Sequence, residues 1–214
     1  MKKIAITQRL IINDSYFETR EALHTKWGAL CNELNFLPII LPIEKDFNEY
    51  FKAFKIDGII LTGGNDLNSF NNSNESLKRD LFEKALIKHA VENAIPIFGV
   101  CRGMQIVGEY FGASFKKVQN QVGIRHGLKV NPKSKYYHEL CKLSDVNSFH
   151  DFAIENLPGS MLISATDKNG IIKSIEHVHH KIFCQMWHSE REEAFDRNEL
   201  RLINIFFNGI KNQD

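Results

Sequence analysis

Apolar strand-like runs alternate with amphipathic helical stretches from the first residues, and that alternation narrows the fold more than any other feature of this chain. Ile4–Ile6 reads as a first strand, and Leu37–Pro42 as a second that ends in proline. Ile56–Leu61 and the wholly apolar Ile95–Val100 read as further buried strands. Between them, Leu23, Trp27, Leu30, Cys31 and Leu34 recur at helical spacing and predict a helix over 17–34, followed by a short amphipathic helix before Ile56. Leu77, Leu81, Ala85, Leu86 and Ala90 mark a long helix, after a polar Asn/Ser-rich stretch, 69–75, that reads as a solvated loop. Strands alternating with helices predict an α/β sheet covered on its faces.

The second half differs. Shorter strand candidates at 127–130, 160–165, 170–176 and 181–187 are joined by turn residues, as in an antiparallel extension, and a helix over 197–210 closes the chain. With 214 residues, and with no repeat or linker, the sequence predicts a single domain over 1–214. Lys plus Arg number 27 and Asp plus Glu 26, a net charge of +1 that excludes the electrostatic footprint of a nucleic-acid binder or a basic membrane patch. No run approaches the ~20 apolar residues of a membrane span. Gln8 and Arg9 interrupt the start before a signal-like core can form, so Cys31, Cys101, Cys141 and Cys184 are expected as reduced thiols in the cytoplasm.

The chemistry concentrates at Gly99-Val100-Cys101-Arg102-Gly103, directly after an apolar strand and before a helical pattern. A nucleophile between two glycines at a strand-to-helix turn has the form of a nucleophile elbow. The turn strains the nucleophile's backbone, the glycines let neighbouring chain pass, and the helix N-terminus favours a thiolate. The N–H of Arg102 would then face a developing oxyanion. A lone cysteine there would be read as a buried packing residue. However, Trp187-His188-Ser189-Glu190 supplies an imidazole to take the thiol proton and a carboxylate to orient it. Glu190 could equally be an acid that complements a helix N-terminus. At Thr62-Gly63-Gly64-Asn65, two glycines at a strand end would leave backbone N–H groups open to a ligand, at the sheet edge where open α/β sheets bind ligands. No G-x-G-x-x-G follows any strand, which sets a dinucleotide site aside.

These three motifs resemble those of class I glutamine amidotransferases, and more closely the stand-alone γ-glutamyl hydrolase branch that includes γ-glutamyl-γ-aminobutyrate hydrolase. Arg79-Asp80-Leu81-Phe82-Glu83, Arg125-His126 and Val146-Asn147-Ser148-Phe149-His150 support the likeness, which runs in register from about Thr62 to Glu190. The resemblance implies a flavodoxin-like three-layer α/β/α fold with a mostly parallel central sheet and a small antiparallel extension. It implies Cys101 as nucleophile, His188 as base and acid, Glu190 as its orienter, and the N–H groups of Gly64 and Arg102 as oxyanion hole. Substrate contacts are expected from Gly63, Gln105, Arg125, His126, Asn147, Ser148, Phe149 and His150.

The implied reaction is hydrolysis of a γ-glutamyl amide through a γ-glutamyl thioester, with a small-molecule substrate and neither cofactor nor metal. The resemblance implies a phosphoramidate nitrogen as the leaving group, giving cytidine diphosphoramidate for capsule synthesis; Arg102, Arg125, Lys129 and Phe149 are candidates to meet its pyrophosphate and base, with plain surface solvation as their alternative reading. Two alternatives stand beside it. One is hydrolysis of a γ-glutamyl amine; the other is a glutaminase subunit passing ammonia to a separate synthetase chain. Two departures from the family pattern are Ser189 where proline is usual, expected to loosen the turn, and Asp151 after the Asn147–His150 segment. His177, His179 and His180 raise the thought of a metal site, but flanking apolar strands make 179–181 a hairpin turn instead.

Overall fold

The computed structural model describes residues 1–16 and 18–209. β1 (Lys2–Ile6) enters the centre of the molecule, and the chain then turns back through a two-stranded antiparallel ribbon, β2 (Arg9–Asn13) and β3 (Glu18–Ala22). Helix α1 (Lys26–Glu33) follows, then β4 (Phe36–Ile40), α2 (Phe47–Phe54) and β5 (Gly58–Leu61). After α3 (Asn68–Asn71), the long α4 (Asn74–Glu92) leads to β6 (Ile97–Val100) and α5 (Arg102–Phe111).

The second half contains β7 (Ser114–Lys117), β8 (Val122–His126), β9 (Lys129–Val130), α6 (Tyr137–Leu140), β10 (Val146–Phe149) and β11 (Phe152–Asn156). It closes with β12 (Met161–Thr166), β13 (Ile172–His177), β14 (Ile182–Gln185), a 3₁₀ turn at Ser189–Arg191 and α7 (Arg197–Asn208).

The main sheet runs β4-β1-β5-β6-β14-β13-β12-β9. The pairs from β4 through β14 are parallel, and those from β14 to β9 antiparallel. This is the flavodoxin-type three-layer arrangement with a mostly parallel sheet, as the sequence leads one to expect. β5 and β6 are buried along their whole length, which is why they read as unbroken apolar runs: both faces carry helices. On one face Phe98 meets Phe206 and Phe207 of α7 at ring separations of 5.4 and 6.2 Å. On the other, α5 lies so close to β5 that a Cβ on Gly103 would sit 2.1 Å from the Leu61 carbonyl oxygen, a contact only glycine permits.

Three expectations need correction. The helix predicted over 17–34 begins only at Lys26; Glu18–Ala22 is a strand, and Phe17 lies outside the described residues. The apolar spacing Trp27, Leu30, Cys31 belongs to α1, whereas Glu-Thr-Arg-Glu-Ala pairs only with β2 and carries no apolar pattern. The stretch 69–75 is not a loop throughout, since Asn68–Asn71 is helical and Ser73 caps α4 by accepting from the Ser76 N–H at 3.1 Å. The third is the strand expected over 127–130, of which only Lys129–Val130 forms, as β9, while the ribbons β8–β10 and β7–β11 are signalled by no pattern in the sequence. The turn expected at 179–181 is present: His177 Nδ1 accepts from the backbone N–H of His179 and His180 at 3.0 and 2.9 Å. Of the helix predicted to Ile210, α7 accounts for Arg197–Asn208, and Ile210 lies outside the described residues.

Candidate active site

The C-terminal ends of β5, β6 and β14 open onto one edge of the sheet, and each delivers part of the site. β6 ends at Cys101, whose backbone is forced to φ 53°, ψ −105° before α5 starts. Strain of this kind costs about 1–3 kcal/mol and persists only where surroundings over-determine it. Here the Cys101 N–H donates to the Gln185 carbonyl of β14 at 2.8 Å, and its carbonyl accepts the first bonds of α5 from Met104 and Gln105. The side chain is 8% exposed.

β14 runs on to Trp187 and His188, both buried. His188 Nδ1 shares a 2.7 Å hydrogen bond with Glu190 Oε1, leaving Nε2 without a partner among the described residues. Burial opposes charge on this imidazole, but the Cys101 sulfur and the Glu190 carboxylate outweigh it and push the group up to about 9. The ring is held by its backbone as well. Asn147 of β10 accepts from the His188 N–H at 2.8 Å, donates to the His188 carbonyl at 2.8 Å and reaches Glu192 at 2.7 Å. Ser189 tightens the turn instead of loosening it, because its buried hydroxyl accepts from Gln185 Nε2 at 2.9 Å.

β5 ends in Thr62-Gly63-Gly64. A Cβ on Gly63 would stand 2.8 Å from His188 Cε1 and 3.5 Å from the Cys101 Cβ, so this glycine lets loop, imidazole and sulfur converge. The loop is fixed from behind by α4. Arg79, fully buried, donates to the carbonyls of Thr62 (2.8 Å), Gly63 (3.2 Å) and Gly64, and to Glu83 (3.0 Å). With its carbonyls taken, the loop gives the Thr62 N–H to Thr7 Oγ1 at 3.2 Å, while no described residue accepts from the N–H groups of Gly64 or Arg102. The Arg102 guanidinium points away from the sulfur into the same cluster, ion-paired with Asp80 and Glu83. The expectation that it meets a phosphate is therefore corrected: its side chain is spent internally, and only its backbone faces the site.

A cavity of about 270 Å³ opens beside Cys101, walled by Gln105, Phe149, His150, Asp66, Asp151 and Arg191, among others. Of the expected substrate contacts, Gln105, Phe149 and His150 reach this wall, and Gly63 borders an adjoining cavity of about 90 Å³. Arg125, His126, Asn147 and Ser148 line neither cavity. Arg125 is exposed and paired with Asp145 and Glu192, while Lys129 donates to the Lys168 carbonyl at 3.2 Å.

Behind the wall lies a polar cluster the sequence does not signal. The Lys173 ammonium, buried on β13, donates to Ser148 Oγ (3.1 Å), to His150 Nε2 (3.1 Å) and to Gln121. Burial brings Lys173 down to about 8, and burial together with Lys173 brings His150 down to about 3, so His150 presents a neutral ring to the pocket. Among the described residues no three His, Cys, Asp or Glu side chains gather as metal ligands, and no helix is long and apolar enough to cross a membrane.

The peptidase C26 family model matches residues 4–190. The chain is 39% identical over 211 residues to a γ-glutamyl-CDP-amidate hydrolase of Campylobacter jejuni, covering 97% of this chain and 98% of that protein. Among solved structures it is similar to a GMP synthase component from Thermoplasma acidophilum, with TM-score 0.72 and 21% identity over 96% of this chain and 92% of the other. It is also similar to a glutamine amidotransferase from Thermotoga maritima, with TM-score 0.65 and 18% identity over 88% and 76% of the two chains. At those identities the two structures speak for the fold alone.

Proposed function

The chain belongs to the peptidase C26 family of class I glutamine amidotransferase-like proteins, and from that premise we propose that it is a cysteine-dependent γ-glutamyl amide hydrolase acting on γ-glutamyl-CDP-amidate. The observation that carries this reading is the Glu190-bonded imidazole of His188, standing against Gly63 and the Cys101 elbow at the mouth of a cavity. The identity of 39% to the Campylobacter hydrolase over nearly the whole of both chains supports the substrate.

On this reading His188 Nε2 takes the thiol proton, and Cys101 Sγ adds to the γ-carbonyl carbon. The oxyanion meets the N–H groups of Gly64 and Arg102, which need no reorganisation because Arg79 and the start of α5 already fix them. The C–N bond breaks as His188 returns its proton to the leaving nitrogen, freeing cytidine diphosphoramidate and leaving a γ-glutamyl thioester. Water, deprotonated by His188, then releases glutamate and restores the thiol. Gln105, Phe149 and His150 would contact the substrate, and Asn147 would keep His188 in place. The whole of 1–214 would act as one domain, in the cytoplasm, supplying an amidated nucleotide to capsule synthesis.

Glutamate release by wild type and Cys101→Ala, measured on γ-glutamyl-CDP-amidate, a γ-glutamyl amine and glutamine, tests the proposal. Release from the nucleotide, lost in the variant, is the expected result. Release from simple amines instead would reassign the substrate, and slow release from glutamine alone would indicate a chain that serves a synthetase.

A further inference from the structure

The two cavities flanking His188 share one ridge, formed by Gly64, His188 and Arg191, and they differ in charge. The larger, beside Cys101, is bordered by the carboxylates of Asp66 and Asp151, and neither is in an ion pair among the described residues. The smaller is bordered by Arg9, His24 and Arg191, and its one carboxylate, Glu190, is already bonded to His188.

Arg9 stands at the start of β2 with its side chain laid over the glycine loop. Its Cδ is 2.6 Å, and its Nη1 3.4 Å, from where a Cβ on Gly64 would be, so Gly64, at φ +82°, is the residue that leaves it room. Arg9 is exposed, and its guanidinium has neither ion pair nor hydrogen bond among the described residues. The acids of the same ribbon are taken elsewhere: Glu18 holds Arg20, and Glu21 holds Gln8 and the Ile43 N–H. Asn65 fastens the ribbon to the loop at both ends of its amide, accepting from the Leu10 N–H and donating to the Leu10 carbonyl, each at 2.9 Å. Arg191, on the ridge itself and so bordering both cavities, rests on the half-exposed Phe149 ring at 4.9 Å and lies 3.9 Å from Glu190. Two guanidinium groups thus flank the lobe: Arg9 has no carboxylate partner among the described residues, and Arg191 has only Glu190, at 3.9 Å, whose Oε1 is bonded more closely to His188. That arrangement suits a multiply charged oxyanion.

We propose that the lobe at Arg9 and Arg191 is the leaving-group subsite, selecting substrates whose γ-glutamyl nitrogen carries a phosphate-class anion; this rests on the hydrolase reading above. The glutamyl ammonium faces Asp66 and Asp151, the scissile bond crosses the ridge at His188, and the anion lies beyond it. At about 90 Å³ the lobe is smaller than the cavity beside Cys101, and it takes the anionic group next to the scissile nitrogen.

Two substrates with the same glutamyl half test this: γ-glutamyl-aminomethylphosphonate, which is anionic, and γ-glutamyl-propylamide, which is neutral. Wild type is expected to favour the phosphonate in kcat/KM, and Arg9→Gln and Arg191→Gln are each expected to lower that preference about tenfold, the scale of one charge-assisted contact. Arg20→Gln, the same charge change on the same ribbon, is expected to leave the ratio alone. Equal kcat/KM for both substrates in wild type, or an unchanged ratio in both arginine variants, would overturn the subsite. Calorimetric titration of cytidine diphosphate into wild type and the same variants needs no turnover. Binding that both variants weaken supports the subsite even if no glutamate is released, in which case the hydrolase reading alone fails. Absence of binding, or binding that neither variant weakens, overturns the subsite.

Discussion

At Cys101 the backbone is held at a positive φ that a side chain tolerates poorly, while its N–H is committed to β14 and its carbonyl to α5. The strain is therefore a property of the position, and a cysteine tolerates it no better than an alanine would. Cys101→Gly should be more stable than Cys101→Ala by about 1 kcal/mol, the reverse of the usual order in a helix or strand, and chemical denaturation of the two variants measures it. His188 yields a pH prediction. Its folded value is pushed up to about 9; on the proposed mechanism the ring below that pH holds the proton destined for the leaving nitrogen, and above it that acid would be lost. The alkaline limb of kcat/KM should fall near pH 9. Glu190 helps to raise the value, so in Glu190→Gln the limb should shift to lower pH, with a smaller loss of turnover than removing the imidazole causes. A limb that does not move would reduce Glu190 to a local packing role.

The element that does most for the loop after β5 is α4, which never touches the cavity near Cys101. Its Arg79, Asp80 and Glu83 meet Arg102 in a buried cluster of two cations and two anions; the arginines hold Glu83 below its ordinary value although burial opposes this. Removing one member leaves a buried charge uncompensated. Arg79→Met should cost about 3–5 kcal/mol of unfolding free energy and, by freeing the Gly63–Gly64 carbonyls, should lower kcat more than it raises KM. Urea melts and steady-state kinetics read the two effects separately. The i, i+4 spacing of Arg79 and Glu83 is plain in the sequence, but spacing does not say that the pair is buried. The same limit explains what else goes unread. Cys101, His188 and the two glycines stand at the ends of apolar strands, where local pattern is strong. Arg9, Asn147 and Lys173 owe their roles to partners 41 or more residues distant in Asn147's case, 23 to 52 in that of Lys173, and to the fold of a ribbon in Arg9's. β2 and β3 form a two-stranded ribbon in which only Leu10 is buried, too little to impose alternation, so the helical signal of α1 runs on into it.

Across the whole molecule, one core extends from Ile4 of β1 to Phe207 of α7 and includes residues of both the parallel and the antiparallel parts of the sheet. With no division in that core, thermal unfolding should be a single transition whose calorimetric and van't Hoff enthalpies agree; two resolved transitions would separate the antiparallel extension as its own unit. The fold is legible at this scale because parallel strands covered on both faces leave long apolar runs, whereas the ribbons that decorate the site leave almost none. One of those ribbons acts as a latch. The peptide of His188 is gripped on both its N–H and its C=O by Asn147, a residue of β10, which is paired only with β8. The imidazole is thus anchored twice, through its ring by Glu190 in its own turn and through its backbone by β10. On the proposed mechanism, a displacement of β10 would therefore disturb two parts of the site at once, the His188 backbone through Asn147 and the cavity wall through Phe149.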